Sequence, residues 1–410
     1  MNKSRPEILL DVSKRTVYAM DGEKKIGEIH VPHIELDWGY GVTVPMAGIA
    51  GVGTNEAYRK QGIASAMMQK AVEFSRNKGY AVGGVSTNNR NIARRLYSKS
   101  GYVFLFKIDI LGKKLTAVAN ADMLPNSDKI RSYRAGDESG IVEVWQECYS
   151  LKGFFGARAR TPSTWLSLRQ NALKENPDCI QVVVENNAIV GYAGFYRHWM
   201  NIPHAEIVIL PEYAFTWGAG LINKIEQLAY RSGFEYLYFD VSPCQFIIRD
   251  ILLKTGYVEE TGKSYVFQVA IFDIAKLLLQ LRPLLEIRAQ KAGLEYFPEK
   301  LLIETSGSVA TAELKNGKPD SYLHMIADLP TLTAVLCGQM SAMEAYLRGL
   351  LNIKSNIDVF KPQKSSSVST EPHEEWIDGK FILITRDYGM SILDAIFPQT
   401  GWLHPKYERW

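Results

Sequence analysis

Apolar positions in the first hundred residues follow two different periods. Ile63, Met67, Ala71 and Phe74 recur at helical spacing, which predicts a helix over residues 62–76. A second helix is predicted at 89–99, ended by Gly101 in a C′ role. Runs of β-like composition predict strands at 15–20, 25–31, 47–54, 80–86 and 102–110. This alternation indicates an α/β (α+β) fold with a mixed sheet.

The same order of elements returns further along the chain. Ser100-Gly101-Tyr102 is matched by Thr255-Gly256-Tyr257, a period of about 155 residues, which implies a duplicated domain and not a solenoid. In the second copy a helix is predicted to follow Gly218-Ala219-Gly220 and to run to Arg231. Further helices are predicted at 140–149 and 245–255, and strands at 179–185, 188–195, 206–210, 236–241 and 264–270.

Local composition divides the chain into three predicted domains. A run of small and polar residues with a proline, 117–128, indicates a linker between a first domain at 1–122 and a second at 129–296. The third domain, 297–410, contains apolar helices predicted at 329–336 and 342–351. Its Ser-rich stretch 362–372 is predicted to be a loop, because it has little apolar surface to bury.

Composition and charge narrow the function classes. The 46% apolar and 22% charged fractions are those of a globular protein, and a net charge of +3 without a basic stripe argues against a nucleic-acid partner. The start of the chain lacks an apolar signal region, and no apolar run is long enough for membrane insertion, so we expect a cytoplasmic protein. Four scattered cysteines predict neither a disulfide framework nor a zinc site.

A cationic, glycine-containing turn between a strand and a helix is the most specific local signal. A helix start of this kind offers free N–H groups and the positive end of the helix dipole to a pyrophosphate. Gly62 lets the phosphate approach the backbone, and a small residue at position 64 keeps the first turn open. The alternative is an ordinary helix start with surface charges. The turn consists of Arg59, Lys60, Gln61, Gly62, Ile63 and Ala64.

A second motif follows this turn, with Asn91, Tyr97 and Gly101-Tyr102 at set spacings. The two motifs in this order resemble those of the GNAT superfamily of acyl-CoA-dependent N-acetyltransferases. The resemblance implies acetyl-CoA as cosubstrate, bound by residues 59–64, by Asn91 and by the strand carrying Val52, Gly53 and Thr54. It also implies that Tyr97 acts as general acid, whereas the tyrosine taken alone fits a core residue better.

The residues allow this chemistry. Backbone N–H groups of the glycine-rich strand 51–54 can stabilise the oxyanion that forms on a thioester carbonyl. A phenol with an ordinary pKa of about 10 at Tyr97 can protonate a thiolate whose ordinary pKa is about 8.5. Candidate bases for the amine are His30, His33, Glu35 and Asp37.

The region around these bases has a predicted role in acceptor binding. We interpret His33, Glu35, Asp37 and Trp38 as part of an acidic, aromatic acceptor site, with a solvated loop as the alternative. The pair His30 and His33 lacks an evident third ligand, so no metal is expected.

The whole chain resembles the Eis (enhanced intracellular survival) branch of the superfamily. That resemblance implies two tandem GNAT domains, the second degenerate, followed by a sterol-carrier-protein-like α+β domain, and a homo-oligomer, trimeric or hexameric. In the second domain Phe215 stands where a basic or amide residue is expected. One departure is that only about fifteen residues precede the first strand at 15–20, so the initial strand and two helices of the family are expected to be missing or replaced.

The resemblance also implies a base at the chain end, the α-carboxylate of Trp410. The alternative is an anchored tail residue. The predicted function is acetyl transfer from acetyl-CoA to an amine, which can be aminoglycoside-like, a polyamine, a small amine or a lysine side chain. The second hypothesis is a non-catalytic acyl-CoA or lipid sensor.

Overall fold

The computed structural model describes residues 6–116, 129–197, 203–242, 244–294, 297–357, 359, 373–377, 380–384 and 392–400. The chain divides into two compact units, of which the first reaches Asp273 and the second spans Ile274–Thr400. Within the described ranges, no helix combines the length and the apolar character needed to cross a membrane.

Residues 6–116 form seven strands and two α-helices, of which the strands Glu7–Asp11 and His33–Asp37 were not predicted. A short 3-10 helix, Glu56–Tyr58, lies between the fifth strand and the first α-helix. The strand Glu7–Asp11 pairs with the next strand as a hairpin. The elements are β1 Glu7–Asp11, β2 Thr16–Asp21, β3 Lys24–His30, β4 His33–Asp37, β5 Thr43–Thr54, α1 Ile63–Asn77, β6 Val82–Asn88, α2 Ala93–Lys99 and β7 Val103–Lys114.

The second half of this unit repeats the arrangement. A helix again connects two parallel strands, and a further helix follows. The elements are β8 Ile130–Ser132, α3 Glu138–Cys148, α4 Pro162–Glu175, β9 Ile180–Glu185, β10 Ala188–Arg197, β11 Pro203–Ile209, α5 Pro211–Arg231, β12 Tyr236–Val241, α6 Phe246–Lys254, β13 Val258–Glu259 and β14 Tyr265–Ile271.

The repeat extends to the hydrogen bonds that end corresponding helices. Gly101 and Gly256 follow α2 and α6 with φ of 87° and 92°. The next residue in each copy, a tyrosine, donates its N–H to a carbonyl five residues back, at 3.1 Å in the first copy and 3.0 Å in the second. These are the bonds of a Schellman cap, which requires the left-handed conformation that glycine adopts readily.

Strands from both halves share one sheet. Its order is β1-β2-β3-β5-β6-β14-β7-β12-β11-β10-β9-β8, with β4 on β5 and β13 on β7. The last strand of the second half, β14, thus lies between β6 and β7 of the first half. The long strand β7 pairs with β14 through residues 103–108 and with β12 through residues 109–114. A mixed α/β fold is confirmed, and the division into domains at residues 122 and 129 stays a prediction.

Helix α1 packs one face of this sheet. Ile63, Met67, Ala71 and Phe74, the residues of the predicted apolar stripe, are all buried. They belong to one core cluster with side chains of β2, β3, β5 and β6 and with Tyr97 of α2. The helical period in the sequence therefore identified the buried face correctly.

Gly218 and Gly220 of the second copy do not lie before a helix, which is where the sequence predicted them. Helix α5 begins at Pro211, directly after β11, so Gly218 and Gly220 lie inside the helix and not before it. A Cβ at Gly218 would come 2.8 Å from Cδ1 of Ile251, so this glycine permits close packing of α5 against α6. No glycine turn comparable to Gly62 precedes this helix in the described residues.

The second unit contains a four-stranded sheet of order β16-β15-β17-β18 and a separate hairpin of β19 and β20. Helix α7 groups with this unit, although the sequence assigned it to the domain ending at 296. The Ser-rich stretch 362–372 lies outside the described residues. The elements are α7 Ile274–Lys291, β15 Pro298–Thr305, β16 Ser308–Glu313, β17 Lys318–Ile326, α8 Leu329–Leu336, α9 Ala342–Leu347, β18 Asn352–Ser355, β19 His373–Ile377, β20 Lys380–Ile384 and α10 Ile392–Ile396.

Candidate active site

Strands β5 and β6 separate at one end and create an opening. They pair in parallel from Met46 opposite Val82 to Ile49 opposite Val85. Beyond that point β5 continues along β3 only, with a register shift and with Gly51 at φ 60°. A positive φ is the conformation that a bulge of this kind requires. The last residues of β5 therefore have β3 on one side and a gap on the other.

Backbone groups at the end of β5 face this gap. The N–H of Asn55, just after the strand, donates to the carbonyl of Ile26 on the β3 side at 2.7 Å. Because successive N–H groups of a strand alternate in direction, that of Thr54 points away from β3. Val52 follows within the register shift, next to the same gap. These groups lie where the sequence predicted oxyanion stabilisation.

The turn before α1 has the predicted geometry of an anion site. Gly62 is the N-cap of α1, with φ 81° and no side-chain cap, and no atom lies within 4 Å of its ideal Cβ position. Lys60 also has a positive φ, 61°. The first N–H groups of a helix have no intrahelical partner, so here they are available to a ligand.

A groove of about 600 Å³ lies between this turn, the end of β5 and the start of α2. That volume is in the range of small-molecule sites. The structure brings every predicted cofactor contact into its wall except Gln61 and Asn91. The lining residues are Val52, Gly53, Thr54, Tyr58, Arg59, Lys60, Gly62, Ile63, Ala64, Ser65, Ile92, Ala93, Arg95, Leu96 and Lys99.

The positive charges of the groove divide into two groups. Arg59 is engaged locally, because it pairs with Glu56 at 2.7 Å and donates to the carbonyl of Thr54 at 3.3 Å. Lys60, Arg95 and Lys99 are exposed, and no described residue forms an ion pair with them. Arg95 and Lys99 were missed by the sequence analysis, although their i,i+4 spacing on a helix that follows the turn was a usable signal.

Gln61 and Asn91, the two predicted contacts outside the groove, hold local structure. Gln61 donates to the carbonyl of Ala57 at 3.2 Å. Asn91 accepts from the N–H of Ala93 at 2.9 Å and donates to Thr87 Oγ1 at 3.0 Å, so both ends of its amide are engaged. Asn91 lines a neighbouring groove that shares Ile92, Arg95 and Lys99 with the first. Contact of Gln61 or Asn91 with a cofactor stays a prediction. These hydrogen bonds do not favour it, because they already engage the side-chain amides.

Tyr97 lies on the inner side of α2. It is 4% exposed, and its ring meets that of Tyr102 edge to face at 6.4 Å. Burial raises the pKa of Tyr97 to about 12, because the phenolate would be poorly solvated. Its hydroxyl forms no hydrogen bond with a described residue and therefore keeps a proton to donate.

Predicted acceptor residues separate into exposed and buried pairs. His33 and Glu35 on β4 are half-exposed and joined by a 2.8 Å bond from Nε2 to Oε1. The other ring nitrogen of His33 lies 2.9 Å from the hydroxyl of Tyr80, which Arg15 also contacts. These two side chains form an accessible polar network.

Asp37 and Trp38 are buried by the second half of the unit. Asp37 accepts from the N–H of Gly39 at 2.7 Å, and its backbone bonds to Gly156 and Ala157. Burial raises the pKa of its carboxyl. Trp38 is fully buried, with its ring 4.7 Å from that of Phe155. Their burial does not favour the interpretation of these two residues as part of an acceptor wall. Trp410, the predicted base, lies outside the described residues.

The first part of the chain matches a known protein family. Residues 5–104 match the family model of the acetyltransferase (GNAT) domain. No curated protein sequence matches the chain.

Several solved structures share the fold. A GCN5-related N-acetyltransferase from Kribbella flavida is 16% identical with a TM-score of 0.53, over 83% of this chain and 81% of that one. One from Anabaena variabilis ATCC 29413 is 17% identical with a TM-score of 0.51, over 82% and 84%. A probable N-acyltransferase from Enterococcus faecalis V583 is 14% identical with a TM-score of 0.53, over 82% of each. Residues 5–104 therefore carry a GNAT acetyltransferase domain, and the solved structures share the fold over most of the chain.

Proposed function

We propose that this protein transfers the acetyl group of acetyl-CoA to a primary amine, and that acetyl-CoA binds in the groove beside Gly62. The observation that carries the proposal is the groove itself. It combines an uncapped helix start, a glycine that leaves room for phosphate, and three cations without ion-pair partners among the described residues. A pyrophosphate supplies the negative charge that this surface lacks.

The direction of β5 supports the placement of the thioester. From the turn at Gly62, the strand runs back past Thr54 and Val52 to the bulge at Gly51. A thioester alongside these residues would have the outward N–H group of Thr54 available to its carbonyl oxygen. Such a donor stabilises the charge that develops when an amine attacks.

Tyr97 is the proposed acid for the leaving thiolate. A phenol with a pKa of about 12 remains protonated throughout the physiological pH range, so the hydroxyl of Tyr97 always carries a proton to donate. Transfer to a thiolate of ordinary pKa, about 8.5, would be uphill by roughly 5 kcal/mol. Desolvation raises the pKa of a thiol as well, so a thiolate formed inside the cleft is a stronger base and the mismatch becomes smaller.

The acceptor class in this proposal is an amine: aminoglycoside-like, a polyamine, a small amine or a lysine side chain. The half-exposed carboxylates Glu28 and Glu35 on β3 and β4 support it, because they can attract an ammonium group. His33 belongs to the same surface. We propose no metal and no nucleic acid in the reaction.

The remaining architecture is proposed from the family resemblance. We propose a sterol-carrier-protein-like domain at 297–410 and a homo-oligomer that is a trimer or a hexamer. The cytoplasmic location expected from the sequence stays a separate proposal. The four-stranded sheet of β16-β15-β17-β18 with the neighbouring α8 and α9 supports an α+β third domain.

Release of CoA from acetyl-CoA, measured across a panel of amines, tests the function. The variants are Tyr97→Phe and the double substitution Arg95→Gln with Lys99→Gln, and acetyl-CoA affinity is measured by calorimetry for each. We expect Tyr97→Phe to lose turnover and keep affinity, and the double variant to lose affinity. A wild-type protein that binds acetyl-CoA and acetylates no amine would establish the sensor alternative instead.

A further inference from the structure

We infer that His30 is the base that takes a proton from the acceptor amine. This inference rests on the proposed acetyl transfer, since it names the group that serves the same site. Three features of the structure carry it: the position of the ring over the bulge in β5, the hydrogen bond that fixes its tautomer, and the accessibility of its second nitrogen.

The imidazole of His30 lies directly against the bulge. His30 on β3 is the register partner of Ala50 on β5, immediately before Gly51. An ideal Cβ at Gly51 would come 2.6 Å from Cδ2 and 3.3 Å from Nε2 of this ring. The ring thus covers the backbone of the bulge, just before Val52. A residue with a side chain at position 51 would have to displace the ring.

The bond from His30 to Thr16 determines which ring nitrogen is basic. The hydroxyl of Thr16 lies 2.9 Å from Nδ1 of His30 and also donates to the carbonyl of Lys14 at 2.9 Å. A hydroxyl has only one hydrogen to donate. Both contacts are hydrogen bonds only if Thr16 donates to the carbonyl of Lys14 and accepts from His30, an arrangement that places the hydrogen on Nδ1. The lone pair of the neutral ring is then on Nε2, the nitrogen nearer to the bulge.

The surroundings of Nε2 suit a proton acceptor. The side chain of His30 is 47% exposed, so an amine can reach it. Glu28 Oε2 lies 4.0 Å from Nε2 and can stabilise the imidazolium, and Lys25 in turn holds Glu28 at 2.8 Å. Two other strands lie beside the His30 ring. Strand β2 contributes the hydroxyl of Thr16, and β5 contributes Ala50 and Gly51, so neither strand adds a titratable group next to the ring.

The other candidate bases in the described residues are less suitable. Both ring nitrogens of His33 are engaged, one with Tyr80 and one with Glu35, and His33 is the register partner of Ala47, further from the bulge. Asp37 is buried in a turn. Glu35 is paired with His33 at 2.8 Å. Of the four candidate bases, His30 is therefore the one with an available ring nitrogen beside the proposed oxyanion donors.

The proton balance of the reaction is as follows. The ammonium loses two protons overall, of which one reaches the solvent and one reaches the sulfur of CoA. His30 Nε2 takes the first and returns it to water. The amine nitrogen then forms the C–N bond to the thioester carbon, and the C–S bond breaks. The amine nitrogen then releases its second proton. This proton reloads the hydroxyl of Tyr97, which has given its own proton to the departing thiolate.

Variants of His30 test this role by pH profile and by chemical rescue. We measure kcat/KM for the amine against pH for wild type and His30→Gln, and acetyl-CoA affinity by calorimetry. His30→Ala is assayed with added imidazole. The matched control is His324→Gln on β17, another histidine paired with a glutamate, Glu304, at 3.0 Å, in the second unit.

The expected result is a fall in kcat/KM of roughly 100-fold or more in His30→Gln, with loss of the acidic limb of the profile. Acetyl-CoA affinity stays unchanged, and imidazole restores rate to His30→Ala. A His30→Gln enzyme that keeps its rate or its acidic limb would overturn the assignment, as would a His30→Ala enzyme that imidazole does not rescue. A wild-type protein without any acetyltransferase activity would remove the proposed function and the base together.

Discussion

Replacing Gly62 with alanine separates the conformational role of this glycine from its role in binding. Gly62 has φ 81°, where an L-residue is strained by roughly 1–2 kcal/mol. No atom lies within 4 Å of its ideal Cβ position, so the substitution adds no clash in the free protein. The expected loss of unfolding free energy is therefore about 1–2 kcal/mol.

The chain offers a matched control for this substitution. Gly233, after α5, has φ 82° and also has no atom within 4 Å of its ideal Cβ position. Gly233→Ala should therefore cost the same stability as Gly62→Ala. The two positions differ in that only Gly62 lines the groove beside α2.

Binding should distinguish the two variants. A methyl group at Gly62 occupies the space through which a phosphate would approach the first N–H groups of α1. Losing one charge-assisted hydrogen bond costs about 1.5–3 kcal/mol, which corresponds to roughly 10- to 150-fold weaker binding. Urea unfolding gives the stabilities, and calorimetric titration with acetyl-CoA gives the affinities. Equal losses of affinity in both variants, or no loss in Gly62→Ala, would refute the placement of the pyrophosphate at this turn.

Three further predictions test other parts of the structure. Because burial raises the pKa of Tyr97 to about 12, the phenol stays protonated at both pH 7 and pH 9. Tyr97→Phe should therefore lower kcat by the same factor at the two pH values. A factor that differs between them would contradict the assignment of Tyr97 as the acid. Replacing Arg95 and Lys99 with glutamine should weaken acetyl-CoA binding and reduce its dependence on ionic strength, measured by titration at low and high salt. Glu206→Gln should destabilise the fold by about 3–5 kcal/mol, seen as a lower urea midpoint, because the carboxylate is buried with Arg160 at 2.6 Å and Arg169 at 3.4 Å.

The sequence by itself determined the features that depend on neighbouring residues. The apolar stripe of α1 follows from spacings of three and four residues, and these side chains are buried as predicted. Gly101 and Gly256 were located because a helix end favours a residue that tolerates positive φ. Gly62 was located because a helix start without a Cβ admits a phosphate, and all three have positive φ. The strands at 180–185 and 236–241 follow from equally local patterns.

The tertiary structure decided everything that depends on distant pairing. Asp37 and Trp38 have the composition of a binding surface, and residues 155–157 of the second half bury them. Strand β14 enters the sheet of the first half between β6 and β7, a placement that no spacing in the sequence encodes. The ring of His30 meets Gly51, 21 positions later, through a register shift between β3 and β5. Local signals arise from contacts three or four residues apart, whereas strand register and burial result from competition among all possible long-range contacts.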